Sequence, residues 1–160
     1  MYDVLKLAEN FEIEGYKFYT QKKNEVKNKT VADIFEYLAQ MEKEHTEFIR
    51  NLMKLLQEGK EIQPPTQDVK FFKDRYEGQK VSETTMEDDI ADISVLRMAY
   101  LIEKDFMEFY AKAASNEKNE KVKEILTTLE KWEEGHKKII EEQISYLIEK
   151  NHLELGFYPF

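Results

Sequence analysis

The chain repeats itself. Sliding residues 95–136 back by 91 positions lays them on residues 4–45 without a gap. Val4 and Leu5 meet Val95 and Leu96, Ala8 meets Ala99, and Phe18-Tyr19 meets Phe109-Tyr110. Further on, Val31 meets Val122, Ile34 meets Ile125 and Leu38 meets Leu129. An offset that persists through helix, turn and helix supports duplication of one helical hairpin, and it confines the fold to two such units packed together.

Apolar residues within each unit recur at the three-and-four spacing of a helix face. The first helix is expected over residues 3–25, with Asp3 as N-cap and Val4, Leu5, Ala8, Phe11, Gly15, Phe18 and Tyr19 toward the core. The second follows a turn near Asn28, with Thr30 as N-cap and Asp33 in capping-box position, and ends before Gly59. The third starts near Ser94 and runs to Ser115, and the fourth covers residues 120–151. The connections inside each pair are short, which makes antiparallel neighbours. The expected organisation is a single all-α domain over residues 1–160: hairpin 3–58, linker 59–93, hairpin 94–152 and a short tail, 153–160. Pro64 and Pro65 break helix in the linker, which is long enough to cross a bundle, and VKFFKDRY within it predicts a short helix with its aromatics on the core.

A chain of 160 residues can bury a sizeable core without staples. The absence of Cys removes disulfides, thiolate metal sites and a catalytic thiol, and fits a reducing compartment. A formal net charge of -9 argues against a nucleic-acid partner, which calls for a basic face. The first residues lack a basic start and an apolar run, and no stretch approaches the roughly 18 apolar residues of a membrane span. A cytoplasmic protein with no membrane contact is expected.

Against this background the repeated polar residues stand out. Glu12 follows Leu5 and Ala8 and precedes Tyr19 on one stripe; Glu103 follows Leu96 and Ala99 and precedes Tyr110. Glu42 follows Leu38 and Glu133 follows Leu129, each with a histidine three residues on, His45 and His136. A buried carboxylate without a partner costs several kcal/mol, so something has to compensate it. One Glu from each of two helices and Glu-x-x-His from each of the other two is the ligand set of di-iron and di-manganese carboxylate bundles. Four carboxylates and two divalent ions cancel in charge, and oxygen and imidazole donors without thiolate suit iron or manganese. Glu-x-x-His alone is weak in so Glu-rich a chain: Glu149 and His152 have the same spacing near the C-terminal end, where they read as surface. For the other two pairs a core-edge histidine is the plainer alternative, but it leaves Glu12 and Glu103 unexplained.

The passages LAENFEIEGYKFY (7–19), FEYLAQMEKEH (35–45), AYLIEKDFMEFY (99–110) and LTTLEKWEEGH (126–136) make the chain resemble the ferritin-like di-iron proteins, in particular the rubrerythrin-like group. The resemblance implies a ferritin-like four-helix bundle made of two repeated hairpins with a long crossover linker. It implies that Glu42 and Glu133 bridge two irons, that Glu12 and Glu103 are terminal carboxylates, and that His45 and His136 are terminal nitrogen ligands. Tyr19 and Tyr110, two turns after a terminal Glu, resemble the tyrosines that lie behind the ligands in such sites, or are plain core aromatics. There are departures: rubrerythrins proper append a cysteine-ligated rubredoxin domain, and they carry an extra Glu where this sequence has Phe106.

The activity implied is that of a di-iron oxidoreductase reacting with hydrogen peroxide or dioxygen, as a peroxide scavenger or a ferroxidase, with two iron ions per site, manganese or a mixed pair being the alternatives. An external electron donor such as a rubredoxin-type protein is expected, and a homo-oligomer, with a dimer favoured. The alternative function is a non-catalytic iron-binding or iron-handling protein.

Overall fold

The computed structural model describes residues 1–63 and 84–152. These form four helices, α1 (Tyr2–Lys22), α2 (Lys29–Gln57), α3 (Met86–Asn116) and α4 (Glu120–Lys150). The short helix expected over VKFFKDRY and the tail 153–160 lie outside the described residues.

Asparagine starts the second helix of each hairpin. Asn28 is extended, and its side-chain oxygen accepts the N–H groups of Thr30 and Val31 at 2.9 and 3.3 Å. Asn119, its counterpart in the repeat, accepts those of Lys121 and Val122 at 3.1 and 3.3 Å. Asn28 therefore replaces the expected Thr30 as N-cap. The reason is tertiary: Asp92 accepts the N–H groups of Lys27 and Asn28, at 3.0 and 2.7 Å, and fixes the turn ahead of Thr30. At the far end of α2, Gly59 adopts φ +66, with Lys60 N–H bonded to Leu55 O and Gly59 N–H to Leu56 O. That is a Schellman stop, which a residue with a Cβ would strain.

Three further boundaries differ from expectation. α1 begins at Tyr2, so Asp3 lies in its first turn rather than capping it, and no side chain caps Met1. It ends at Lys22, short of residue 25, where Val26 N–H returns to Lys22 O and the chain turns. α3 begins at Met86, well ahead of Ser94, and the crossover is shorter than residues 59–93 by the same amount. Thr85 Oγ1 caps Asp88 N–H at 3.1 Å, and Glu87, Asp88 and Asp89 face the positive end of the helix dipole. The apolar period hides this start, because Ile90 is exposed while Asp89 and Asp92 are buried.

Among the described residues the core is two apolar clusters, one at each end of the bundle. One joins the start of α2 (Val31, Ile34, Phe35) and of α3 (Ile93, Leu96) to the end of α4 (Ile144, Leu147). The other joins the start of α1 (Leu5, Ala8) and of α4 (Val122, Ile125) to the ends of α2 (Ile49, Leu52) and α3 (Tyr110, Ala114). Helices α2 and α3 thus start at the same end, so their connection has to cross the length of the bundle; a ferritin-like four-helix bundle is the result. Between the clusters lies a polar layer, which contains the repeated Glu and His residues.

Candidate metal centre

Each helix delivers its polar residues to that layer because they occupy the apolar stripe: Glu12 from α1, Glu42 and His45 from α2, Glu103 from α3, Glu133 and His136 from α4. The four Glu and His45 are 0% exposed and His136 1%. Two quartets that could hold a metal ion result, Glu12, Glu42, His45 and Glu133, and Glu42, Glu103, Glu133 and His136, with the candidate donor atoms of each within 4.8 Å of one another. Glu42 and Glu133 belong to both. His45 Nδ1 lies 3.1 Å from Glu12, 3.4 Å from Glu42 and 3.1 Å from Glu133. His136 Nδ1 lies 3.2 Å from Glu42, 3.4 Å from Glu103 and 3.2 Å from Glu133. The two rings are parallel, 5.3 Å apart. The repeat in the sequence is therefore a near-twofold arrangement in space.

Tyrosines support the layer from across the hairpins. Tyr19 donates its hydroxyl to Glu103 Oε1, and Tyr110 donates to Glu12 Oε1. In each Glu one oxygen is held from behind while the other turns toward a histidine. Burial, and then the carboxylate each one serves, pushes both phenols well above their usual range. His152, the third histidine, is exposed at the end of α4 with φ +50, away from this layer.

Electrostatics mark the layer as incomplete without a cation. Burial pushes Glu42 well above the carboxylate range, and the charges of Glu133, Glu12 and Glu103 push it further. Glu103 rises to about 7, burial outweighing the attraction of His136. Glu133 goes the other way: burial opposes its charge, but both imidazoles face it and hold it low. Burial likewise disfavours the charged imidazoles, yet the surrounding carboxylates, Glu12 and Glu133 for His45, Glu103 and Glu133 for His136, keep both well above the usual range. Both oxygens of Glu42, both of Glu133, Glu103 Oε2 and His136 Nδ1 are buried without a hydrogen-bond partner. These six orphaned atoms belong to the two overlapping quartets, and a pair of bound cations would satisfy them, so the residues fit a dinuclear metal site.

Two features of the surroundings escape sequence reasoning. Trp132 stacks on His45, centroids 4.8 Å apart, and its only trace in the sequence is adjacency to Glu133. Glu9, one turn before Glu12 on α1, is also buried, but Arg50 Nε at 2.5 Å and Lys6 Nζ at 2.6 Å neutralise it. Its carboxyl is held below the usual range by those bonds, so it has no need of a metal.

Comparison with known proteins agrees with this fold. A hypothetical protein from Pyrococcus furiosus shares the fold, with a TM-score of 0.67 and 22% sequence identity over 93% of this chain and 90% of that one. No curated protein matches the chain significantly. Among the described residues no helix is long and apolar enough to cross a membrane. The family model described as Rubrerythrin matches residues 3–144, which take in both copies of the repeat, and the chain belongs to the rubrerythrin family.

Proposed function

We propose that the protein is a non-haem di-iron oxidoreductase that reduces hydrogen peroxide, or dioxygen, with electrons from an external donor. The observation that carries this reading is the sharing of Glu42 and Glu133 between two buried ligand quartets. Glu42 and Glu133 would bridge the ions; Glu12 and His45 would complete one position, Glu103 and His136 the other. Bound iron would supply the electron-transfer chemistry that the side chains lack. Family membership favours iron over manganese, since the donor types accept both.

The protein contributes geometry and exclusion. Tyr19 and Tyr110 each fix one oxygen of a terminal carboxylate, so the other stays aimed at the centre. Their hydroxyls place a proton on either flank of the layer. The two apolar clusters keep water from the ligands, which strengthens every charge interaction between them. These 160 residues contain no Cys, so a thiolate-bound iron relay would lie outside them, for example in a rubredoxin-type donor.

The test is an anaerobic titration of metal-free protein with ferrous iron, followed by hydrogen peroxide while near-ultraviolet absorbance is recorded. Uptake of about two irons per chain, rapid oxidation and repeated turnover with added reductant are expected. A second reading, iron handling without turnover, is favoured by Phe106 standing where the family's extra Glu would be. In that case the site would oxidise once and stop.

A further inference from the structure

The two halves of the chain agree at the six ligand positions and differ one turn further along. Position 15 is Gly, and its counterpart 91 residues later is Phe106. These two residues meet between α1 and α3. A Cβ placed on Gly15 would lie 3.1 Å from Phe106 Cε2, 3.3 Å from Glu42 Cγ and 3.5 Å from Glu42 Cδ. Carbon atoms in good contact sit about 3.5–4.0 Å apart, so the ring and the shared carboxylate already occupy the slot beside Gly15.

Phe106 is 7% exposed and Glu42 0%, and both border the position that a Gly15 Cβ would take, so the ring lies close to that carboxylate where α1 meets α3. Phe11 stacks on Phe106 with centroids 5.5 Å apart, and Phe109 meets Phe11 edge-on at 4.9 Å. The opposite flank of the layer is taken by the two imidazoles, with Trp132 against His45. Beside Gly15 the α1–α3 seam is thus lined by the rings of Phe11, Phe106 and Phe109, which can neither ligate nor donate a proton. A ring there acts by its bulk.

We infer that Phe106, seated in the slot left by Gly15, sets the size of ligand that reaches the centre, admitting two- and three-atom ligands or hydrogen peroxide and excluding bulky organic hydroperoxides and aromatic ligands. This rests on the proposed di-iron reading and names its substrate class. A hydrocarbon wall discriminates by volume, and loss of a whole ring changes relative access far more than loss of one methylene does.

The experiment compares the wild-type protein, Phe106→Ala and Phe106→Leu, each loaded with ferrous iron, counted for bound iron and then oxidised chemically. Azide and phenol are titrated against each, because both give a visible charge-transfer band on ferric iron. The wild type is expected to bind azide and to reject phenol. In Phe106→Ala the affinity for phenol relative to azide should rise about tenfold or more, with Phe106→Leu between the two. The rate of ferrous oxidation by cumene hydroperoxide relative to hydrogen peroxide should move in the same order. Unchanged ratios in both variants, or phenol bound by the wild type as readily as azide, would overturn the role of Phe106. Failure of hydrogen peroxide to oxidise the ferrous protein would overturn the peroxidase reading alone, since the azide and phenol titrations use iron already oxidised. Absence of iron uptake by the wild type would overturn both.

Discussion

Glu42 is fully buried, neither of its oxygens meets a hydrogen-bond donor, and it sits among the carboxylates of Glu12, Glu103 and Glu133. Such a residue weakens the metal-free fold. Replacing buried ionic groups by apolar ones of similar volume is often neutral or stabilising by about 1–4 kcal/mol. We therefore expect Glu42→Met to raise the urea midpoint of the metal-free protein while abolishing stoichiometric iron binding; a lower midpoint would show that Glu42 also supports the empty fold. Stability and metal binding then change in opposite directions at one position, as at other functional sites. This position was legible from sequence for the same reason that it is costly: a carboxylate on an apolar stripe violates the pattern. The pairing of Gly15 with Phe106 was not, because each fits its own helix and only the distance between α1 and α3 relates them.

At the scale of helices, the caps of the two hairpins are the same residue with different surroundings. Asn28 is buried, donates to Thr84 Oγ1 at 3.3 Å and is held through its backbone by Asp92; Asn119 is exposed. Loss of a cap costs about 1 kcal/mol, and a buried group left unpaired adds about 1–3 kcal/mol. Asn119→Ala should therefore cost about 1 kcal/mol and Asn28→Ala about 2–3 kcal/mol in chemical denaturation; equal costs would mean that burial and the side-chain contact to Thr84 contribute nothing. Near the start of α3, Asp89 accepts from Lys150 Nζ at 2.7 Å, Asn151 Nδ2 at 2.8 Å and Thr84 Oγ1 at 2.5 Å. Burial would raise its pKa, but those bonds outweigh it and hold the group below its usual value. A folded-state pKa that is depressed adds stability above the unfolded value of about 3.9, and that stability is lost as pH falls through the folded value. The stability difference between wild type and Asp89→Asn should accordingly be largest near neutrality and shrink below about pH 4, measured by thermal melts across pH. These aspartates explain why α3 begins earlier than its apolar period does: its first turns are fastened by hydrogen bonds, which leave no hydrophobic signature.

For the molecule as a whole, the polar layer separates two apolar clusters, so its buried carboxylates oppose folding at mid-height unless a cation offsets them. A ligand that binds only the folded state stabilises it by about 4 kcal/mol when present at a thousand times its Kd. Iron, or manganese as a redox-inert probe in the absence of oxidant, should raise the melting temperature by several degrees, and a chelator should reverse the rise; an unchanged melt would count against a metal at this position. The bundle, its hairpins and its buried polar layer could be read from the repeat because duplication writes the same constraint twice. The boundaries could not, since the turn at Asn28 depends on Asp92 from the other hairpin.

Neither hairpin owns a complete centre. Each quartet takes three residues from one hairpin and one from the other, and each tyrosine serves the opposite hairpin's glutamate. A single ancestral hairpin of this sequence type could therefore bind its metals only as a pair of identical chains, with an affinity that fell on dilution. Fusion through the crossover turned that encounter into an intramolecular one at high effective concentration. It also freed the two halves to diverge, so that a glycine on one side could come to face a phenylalanine on the other, an asymmetry that no pair of identical hairpins can encode.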